Sequence, residues 1–231
     1  MTYSDLKSIS YLSIDDEQLE QIQKYTEFTL LENEKYDLTA NKTLDTFLVR
    51  NVVDSLLIAK FYDFNDKKVL DIGTGAGFPG ILLAIYFKKG HFVLIEPMLK
   101  RYNFLLKVKE LLKLENVEIL RERAEHYVKK VGPVFDVATS RAVSKLNMLL
   151  ELSIPFLKVN GIMIGYKGLN LDNEINESQN ALKVLDSKVT KIHETNLDFS
   201  DENRKFIEVT KLKPTNKKYP RAFKLISSKP L

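Results

Sequence analysis

The chain has 231 residues, 44% hydrophobic and 29% charged, with a formal net charge of +4 and no cysteine. That length suits one full core with an appendage, and the missing cysteine excludes disulfides, thiolate metal sites and any protein thiol nucleophile. No apolar run approaches the roughly 18 to 20 residues that span a bilayer, and the opening MTYSDLKSIS lacks a basic or apolar leader, so a cytoplasmic protein with no membrane partner is expected.

Leu19, Ile22, Tyr25, Leu30 and Leu31, then Phe47, Leu48, Val52, Leu56, Leu57 and Ala59, recur at spacings of three and four. This predicts amphipathic helices over the first 60 residues, interrupted at YDLTANKT. From Lys68 the period changes. KVLDI, FVLIE, VEIL, FDVATS and GIMIGYK read as strands, separated by helical stretches beginning at PGILLAIYFKK and MLKRYNFLLKVKELLKL and continuing through KLNMLLELSIPFL. One polar helix follows across LDNEINESQNALKVL, and then two close strands near KVTKIHET and KFIEVTKL read as a hairpin. The alternation predicts an α/β fold, a mostly parallel sheet with helices on both faces. The expected division is a helical extension over 1–64 and the main domain over 65–231.

Charge is unevenly placed. Residues 1 to 40 hold nine acids against three bases, whereas residues 204 to 231 hold nine bases against Glu208 alone. The basic end is a candidate for polyanion binding, although lysine-rich tails are often only solvated.

Between the first strand and helix runs DIGTGAGFPG. Gly75, Gly77 and Gly80 fit the loose dinucleotide pattern G-x-G-x-x-G, and Asp71 with Gly73, Gly75 and Gly77 fits D-x-G-x-G-x-G. Either way, glycines let a ligand approach the backbone at the carboxyl ends of the strands. Glu96 ends the second strand, where a carboxylate accepts hydrogen bonds from both ribose hydroxyls of an adenosine. NAD and S-adenosylmethionine both carry that ribose. Asp71 just before the glycines, the terminal hairpin and the polar RERAEH loop favour S-adenosylmethionine. The plainer alternatives are that Asp71 satisfies loop amides and that Glu96 is a helix N-terminal charge.

The chain resembles the rRNA small subunit methyltransferase G family, also called glucose-inhibited division protein B. The resemblance is carried by YDLTANKTLDTFLVRNVVDSL, VLDIGTGAGFPGILLAI, KRYNFLLKV, RAE, FDVATSRAVSKL, YKG and KKYPRAFKLISSKPL. It implies a Rossmann-like class I S-adenosylmethionine-dependent methyltransferase fold, with a seven-stranded sheet ending in an antiparallel hairpin. It also implies methylation of guanine N7 in a decoding-region loop of 16S rRNA, with free rRNA or the small ribosomal subunit as substrate and no obligate protein partner. By motif, the cofactor contacts fall on Gly73, Phe78, Ala124, Glu125 and Arg141, to which the reading above adds Asp71, Gly75, Gly77 and Glu96. Phe78 stands where the family usually has leucine. Arg221 is followed by Ala222 where the family usually has a second arginine.

Guanine N7 carries a free lone pair, so its methylation needs positioning and charge compensation rather than a base. The missing cysteine disfavours pyrimidine C5 chemistry, and TSRAV replaces the Asn/Asp-Pro-Pro-aromatic motif common among amino-group methyltransferases. Arg141 is the leading catalytic candidate, orienting guanine or the methionine carboxylate; its structural alternative is an ion pair with Asp136 or Glu125. Arg123, Lys167, Arg204, Lys217, Lys218 and Arg221 are RNA-contact candidates. His91, His126 and His193 lack metal spacing, so no metal is expected. Tyr102, Phe104 and Phe156 read as core. The rivals are a nicotinamide oxidoreductase, for which no His or Tyr/Lys catalytic set is evident, a small-molecule methyltransferase, and a non-catalytic RNA-binding module.

Overall fold

The computed structural model describes residues 1–141 and 144–231. Ala142, the last residue of the Ser-Arg-Ala motif, lies outside the described residues. Helix α1 (Asp16–Tyr36) starts at a capping box in which the Asp15 side chain and Gln18 exchange hydrogen bonds, and it ends at Asp37 in the left-handed region. A continuous helical segment follows over 44–60. It contains α2 (Leu44–Phe47), a π-helical stretch (Leu48–Val53), α3 (Asp54–Leu56) and a 3₁₀ turn (Leu57–Lys60).

Strands and helices then alternate: β1 (Lys68–Ile72), α4 (Gly80–Tyr86), β2 (His91–Ile95), α5 (Leu99–Leu112), β3 (Val117–Leu120), α6 (Ala124–Val131), β4 (Phe135–Arg141), α7 (Leu146–Ser153) and β5 (Leu157–Lys167). The polar stretch expected as one helix is two, α8 (Leu171–Glu177) and α9 (Gln179–Val184), which meet at Ser178. The hairpin β6 (Ser187–Asn196) and β7 (Asn203–Lys211) and a short α10 (Phe223–Ser228) complete the chain.

The sheet order is β3-β2-β1-β4-β5-β7-β6. Strands β1 to β5 are mutually parallel, and β7 runs antiparallel to both β5 and β6. Strand order reverses between β1 and β4, so a crevice opens above their carboxyl ends. Side-chain alternation divides the core between the two faces. Val69, Phe92 and Leu94 pack with α1, the 44–60 segment, α4 and α5, whereas Leu70, Ile72, Val93 and Ile95 pack with α6, α7 and α9. The amphipathic N-terminal segments are thus one cover of the sheet. Ile22 and Tyr25 of α1 are fully buried there, but Leu31, expected among the apolar positions, is exposed. Phe104 and Phe156 are core as expected, and Tyr102 is half-buried. No helix among the described residues is long and apolar enough to cross a membrane.

Candidate active site

The glycine turn is held from three directions. Gly73, Gly75 and Gly77 all adopt positive φ, at 64°, 64° and 106°, a region that suits glycine because side chains crowd the backbone there. From below, the buried Asp71 carboxylate accepts the Gly80 N–H at 3.0 Å and the Thr139 hydroxyl at 3.1 Å. Burial raises its pKa to about 6, and the hydrogen bonds from the turn and Thr139 oppose that rise. From the side, Glu96 accepts the Gly75 N–H at 3.0 Å on one oxygen and the Met98 N–H at 2.9 Å on the other. From above, the Tyr25 hydroxyl of α1 donates to the Ala76 carbonyl at 2.6 Å.

Above the turn lie two cavities that meet at Gly73 and Pro97. The larger, about 420 Å³, is bounded by the glycine turn, Glu96, Phe78, Asn51 and Arg141. The smaller, about 170 Å³, is an apolar slot between Ile72, Ile95, Ala124, Leu152 and Phe223, with Glu125 at its edge. Nothing lies within 4 Å of the place a side chain at Gly75 would occupy, so that glycine keeps the cradle open. A polar cavity with a carboxylate at its side, joined to a small apolar slot, fits a ligand that has a ribose between a polar tail and an aromatic base.

Arg141, the last residue of β4, is bound by the 44–60 segment. Its guanidinium donates to Asp54 Oδ2 and to the Arg50 carbonyl, each at 3.0 Å, and to Asn51 Oδ1 at 3.2 Å. It also lies over the Phe78 ring, 5.0 Å from the centroid, a favourable cation–π arrangement. Asp54 is the hub: its other oxygen accepts Arg204 Nε at 2.7 Å. Beyond Arg141 a third cavity, about 500 Å³, opens at the ends of β4 and β5, walled by Tyr166 and Phe206 and ringed by Lys145, Lys167, Arg204 and Lys205 with the carboxylates of Asp54 and Glu174 among them. Arg141 lines both this cavity and the glycine-turn cavity. Burial drives the Tyr166 phenol well above its ordinary pKa, so it offers no base.

The sequence model of the family described as rRNA small subunit methyltransferase G matches residues 18–205. The chain belongs to that family. It is 42% identical over 220 residues to the ribosomal RNA small subunit methyltransferase G of Fusobacterium nucleatum, covering 95% of this chain and 94% of that one. It is 38% identical to the protein of the same name from Clostridium perfringens, end to end in both chains. Among solved structures, the Bacillus cereus O-methyltransferase in complex with SAH superposes with a TM-score of 0.59 over 90% of this chain and 95% of that one, at 18% identity. A fibrillarin pre-rRNA processing protein from Methanococcus jannaschii gives 0.51 over 66% and 70% at 19% identity. These two likenesses bear on the fold, which is that of class I methyltransferases. This member of the methyltransferase G family is an S-adenosylmethionine-dependent methyltransferase.

In this family member the residues expected from sequence separate into groups. Gly73, Gly75, Phe78, Glu96 and Arg141 line the larger cavity, and Gly73, Arg123, Ala124 and Glu125 line the slot. Two residues do not face the crevice. Asp71 lies beneath the turn, where the sheet buries it completely and its carboxylate accepts the Gly80 N–H and the Thr139 hydroxyl. A side chain at Gly77 would stand 2.5 Å from Ile81 Cγ1 and 3.0 Å from the Tyr25 hydroxyl, so that glycine serves the packing of α1 on the turn.

The basic candidates also differ from expectation. Arg141 pairs with Asp54 and not with Asp136 or Glu125, because Asp136 is held by Lys158 at 2.7 Å and Glu125 by Arg123 at 2.8 Å. Arg123 in addition lies over the Phe223 ring. Lys167 is held in a half-buried ion pair with Glu174 at 2.7 Å, Arg204 is divided between Asp54 and Glu202, and Arg221 is clamped on Glu151. Lys217 and Lys218 are exposed. Asp54, Asn51 and Tyr25 carry no such expectation from sequence, although NVVDSL, which holds Asn51 and Asp54, is part of the family resemblance.

Proposed function

We propose that this protein transfers a methyl group from S-adenosylmethionine to N7 of a guanine in 16S rRNA. Arg141 carries the proposal, since it is the wall shared by the cavity above the glycine turn and the charged cavity beside it. In this reading the apolar slot takes the adenine, Glu96 takes the ribose hydroxyls, and the cavity beyond Arg141 takes the guanine. The methyl donor supplies a sulfonium-bound carbon: the N7 lone pair forms the new C–N bond as the C–S bond breaks. The sulfur becomes a neutral thioether and the positive charge passes to the base. No proton leaves, so no base is needed: burial keeps the Tyr166 phenol protonated, and the Asp54 and Glu174 carboxylates at the cavity are held in ion pairs with Arg141, Arg204 and Lys167. Arg141 and Asp54 would supply orientation, with the ion pair fixing the guanidinium plane. We further propose residues 1–64 as the extension to the methyltransferase domain over 65–231, and the cytoplasm as its place of action.

Because Glu96 also holds Gly75 and Met98, Glu96→Ala should weaken S-adenosylmethionine binding by about 1–3 kcal/mol, the scale of a lost charged hydrogen bond. Calorimetric titration checks this, and unchanged affinity removes Glu96 from the cofactor site. The function itself is tested by transfer of labelled methyl to 16S rRNA or small subunits from cells lacking the protein, followed by nucleoside identification. Label in 7-methylguanosine at one position is expected. A protein that binds the donor yet labels no RNA would be a small-molecule methyltransferase.

A further inference from the structure

A separate cavity of about 580 Å³ lies at the other end of the sheet, where β5 begins and β7 ends. Strand β5 runs 11 residues, from Leu157 near this cavity to Lys167 at the candidate active site. The start of β5 is bulged, so the regular β7 gives the distance: Lys205 lies at the candidate site and Lys211 at this cavity, and six residues at ~3.3 Å each put roughly 20 Å between the two.

Lys129, Lys158, Lys211 and Lys217 line the cavity, and among the described residues no carboxylate does. Lys158 is paired with Asp136 outside it. Lys211 is 1% exposed. Its ammonium donates to the Leu157 carbonyl at 2.8 Å, which uses one of its three donors. Burial, with no acid to offset it, lowers its pKa to about 8, so at neutral pH the lysine is still mostly charged. A buried cation without a counter-ion is unfavourable in the free protein, and such groups gather where a ligand supplies the missing charge. A second group is also left over: the Thr215 hydroxyl, on the cavity wall, is buried and has no hydrogen-bond partner among the described residues. The remaining wall is apolar and includes Pro133, Pro155 and Tyr219.

We propose that this cavity is a second RNA-binding point, which holds one nucleotide of the rRNA backbone by its phosphate at a distance from the methylated base. The inference rests on the rRNA methyltransferase function proposed above. The phosphate meets Lys211, Lys129, Lys217 and the Thr215 hydroxyl, and the sugar and base lie against the proline and tyrosine faces. Two anchoring points about 20 Å apart let the enzyme select a folded RNA by shape, which a single base pocket cannot do. The same lysines would suit a free phosphate-bearing metabolite, and the test separates the two.

Lys211→Met keeps the side-chain length and removes the charge; Lys129→Gln with Lys217→Gln changes only exposed positions and covers the case in which the first variant fails to fold. Binding of a labelled 16S rRNA fragment is measured by fluorescence anisotropy across a salt series, beside S-adenosylmethionine affinity and the kcat and KM of methyl transfer. RNA affinity should fall roughly three- to tenfold, and the log–log salt slope should drop by about one unit for each lysine–phosphate pair removed. The kcat and donor affinity should stay unchanged. RNA affinity and slope equal to wild type in both variants would overturn the proposal. So would binding of inorganic phosphate or a mononucleotide that depends on Lys211 while RNA binding does not, since the site would then serve a small anion. If the wild-type protein methylates no RNA, the proposed function fails on that arm, and anisotropy still decides whether the cavity binds RNA.

Discussion

Arg221→Ala is expected to destabilise the fold by about 3–5 kcal/mol and to leave the salt dependence of RNA binding nearly unchanged. Its partner Glu151 in α7 is completely buried, 0% exposed, amid the core of the α7 face. Arg221 compensates it: it donates its backbone N–H at 2.9 Å, Nε at 2.8 Å and Nη2 at 2.6 Å to the two carboxylate oxygens. Removing the arginine leaves a carboxylate in an apolar core, the costly half of breaking a buried pair, whereas removing both charges together costs less. Urea unfolding of Arg221→Ala, Glu151→Gln and the double variant forms a cycle that isolates the pair energy. An unchanged unfolding midpoint, together with weaker and less salt-sensitive RNA binding, would return Arg221 to the RNA surface. On this account the terminal Tyr-Pro-Arg is an anchor that ties the C-terminal segment to α7, and the absent second arginine takes nothing from that anchor.

Asp54→Asn and Arg141→Ala should have the largest effects on catalysis. Arg141→Ala removes the guanidinium that separates the two cavities, with an expected loss of about 100- to 1,000-fold in methyl transfer, the scale of a lost preorganised donor. Asp54 is a positioning residue. It lies at the edge of the third cavity and holds Arg141 and Arg204, at 3.0 and 2.7 Å. Neutralising it loosens both arginines, which keep their contacts to Asn51, the Arg50 carbonyl and Glu202, and a loss of roughly 100-fold follows if a displacement near 1 Å is the result. Single-turnover transfer should show the loss in kcat, with RNA KM changed much less, and Asp54→Glu should recover part of it. If Asp54→Asn instead changes only thermal stability while kcat stays at the wild-type value, the hub is structural. Arg141→Lys separates charge from geometry, because a lysine keeps the charge but cannot make the fork to Asp54 and Asn51.

The fold was largely legible because hydrophobic periodicity is a local signal. KVLDI and FVLIE are buried on both faces, as central parallel strands should be, and the closely spaced final strands do form the antiparallel hairpin. The change of period at Lys68 marks where the N-terminal helical cover passes into the alternating strands and helices. The polar stretch after β5 reads as one helix but folds as two, because Ser178, whose hydroxyl bonds the Glu174 carbonyl at 2.6 Å, divides it. That competition with the backbone has no periodic signature.

The site was legible in part. Gly73, Gly75 and Glu96 follow from the chemistry of a glycine turn beside a strand-ending carboxylate, and the structure places them at one cavity. Asp71 and Gly77 belong to the same motif, yet one lies under the turn and the other faces Tyr25. A pattern states that these residue types are needed together, without stating which side each one faces. The long-range partners had no local signal: Arg141 meets Asp54 across 87 residues, Arg221 meets Glu151 across 70, and Tyr25 meets Ala76 across 51.

What the sequence by itself determined is the α/β alternation, the glycine turn, the family and the absence of a thiol, since each depends on residue identity or on spacing along the chain. What only the tertiary structure decided is which charges are consumed within the protein and which remain for a ligand. That depends on distances of 3 Å between residues far apart in the chain, such as the 2.7 Å contact between Arg204 and Asp54, and on the burial that makes a satisfied arginine structural and an uncompensated lysine such as Lys211 a candidate to meet an anion.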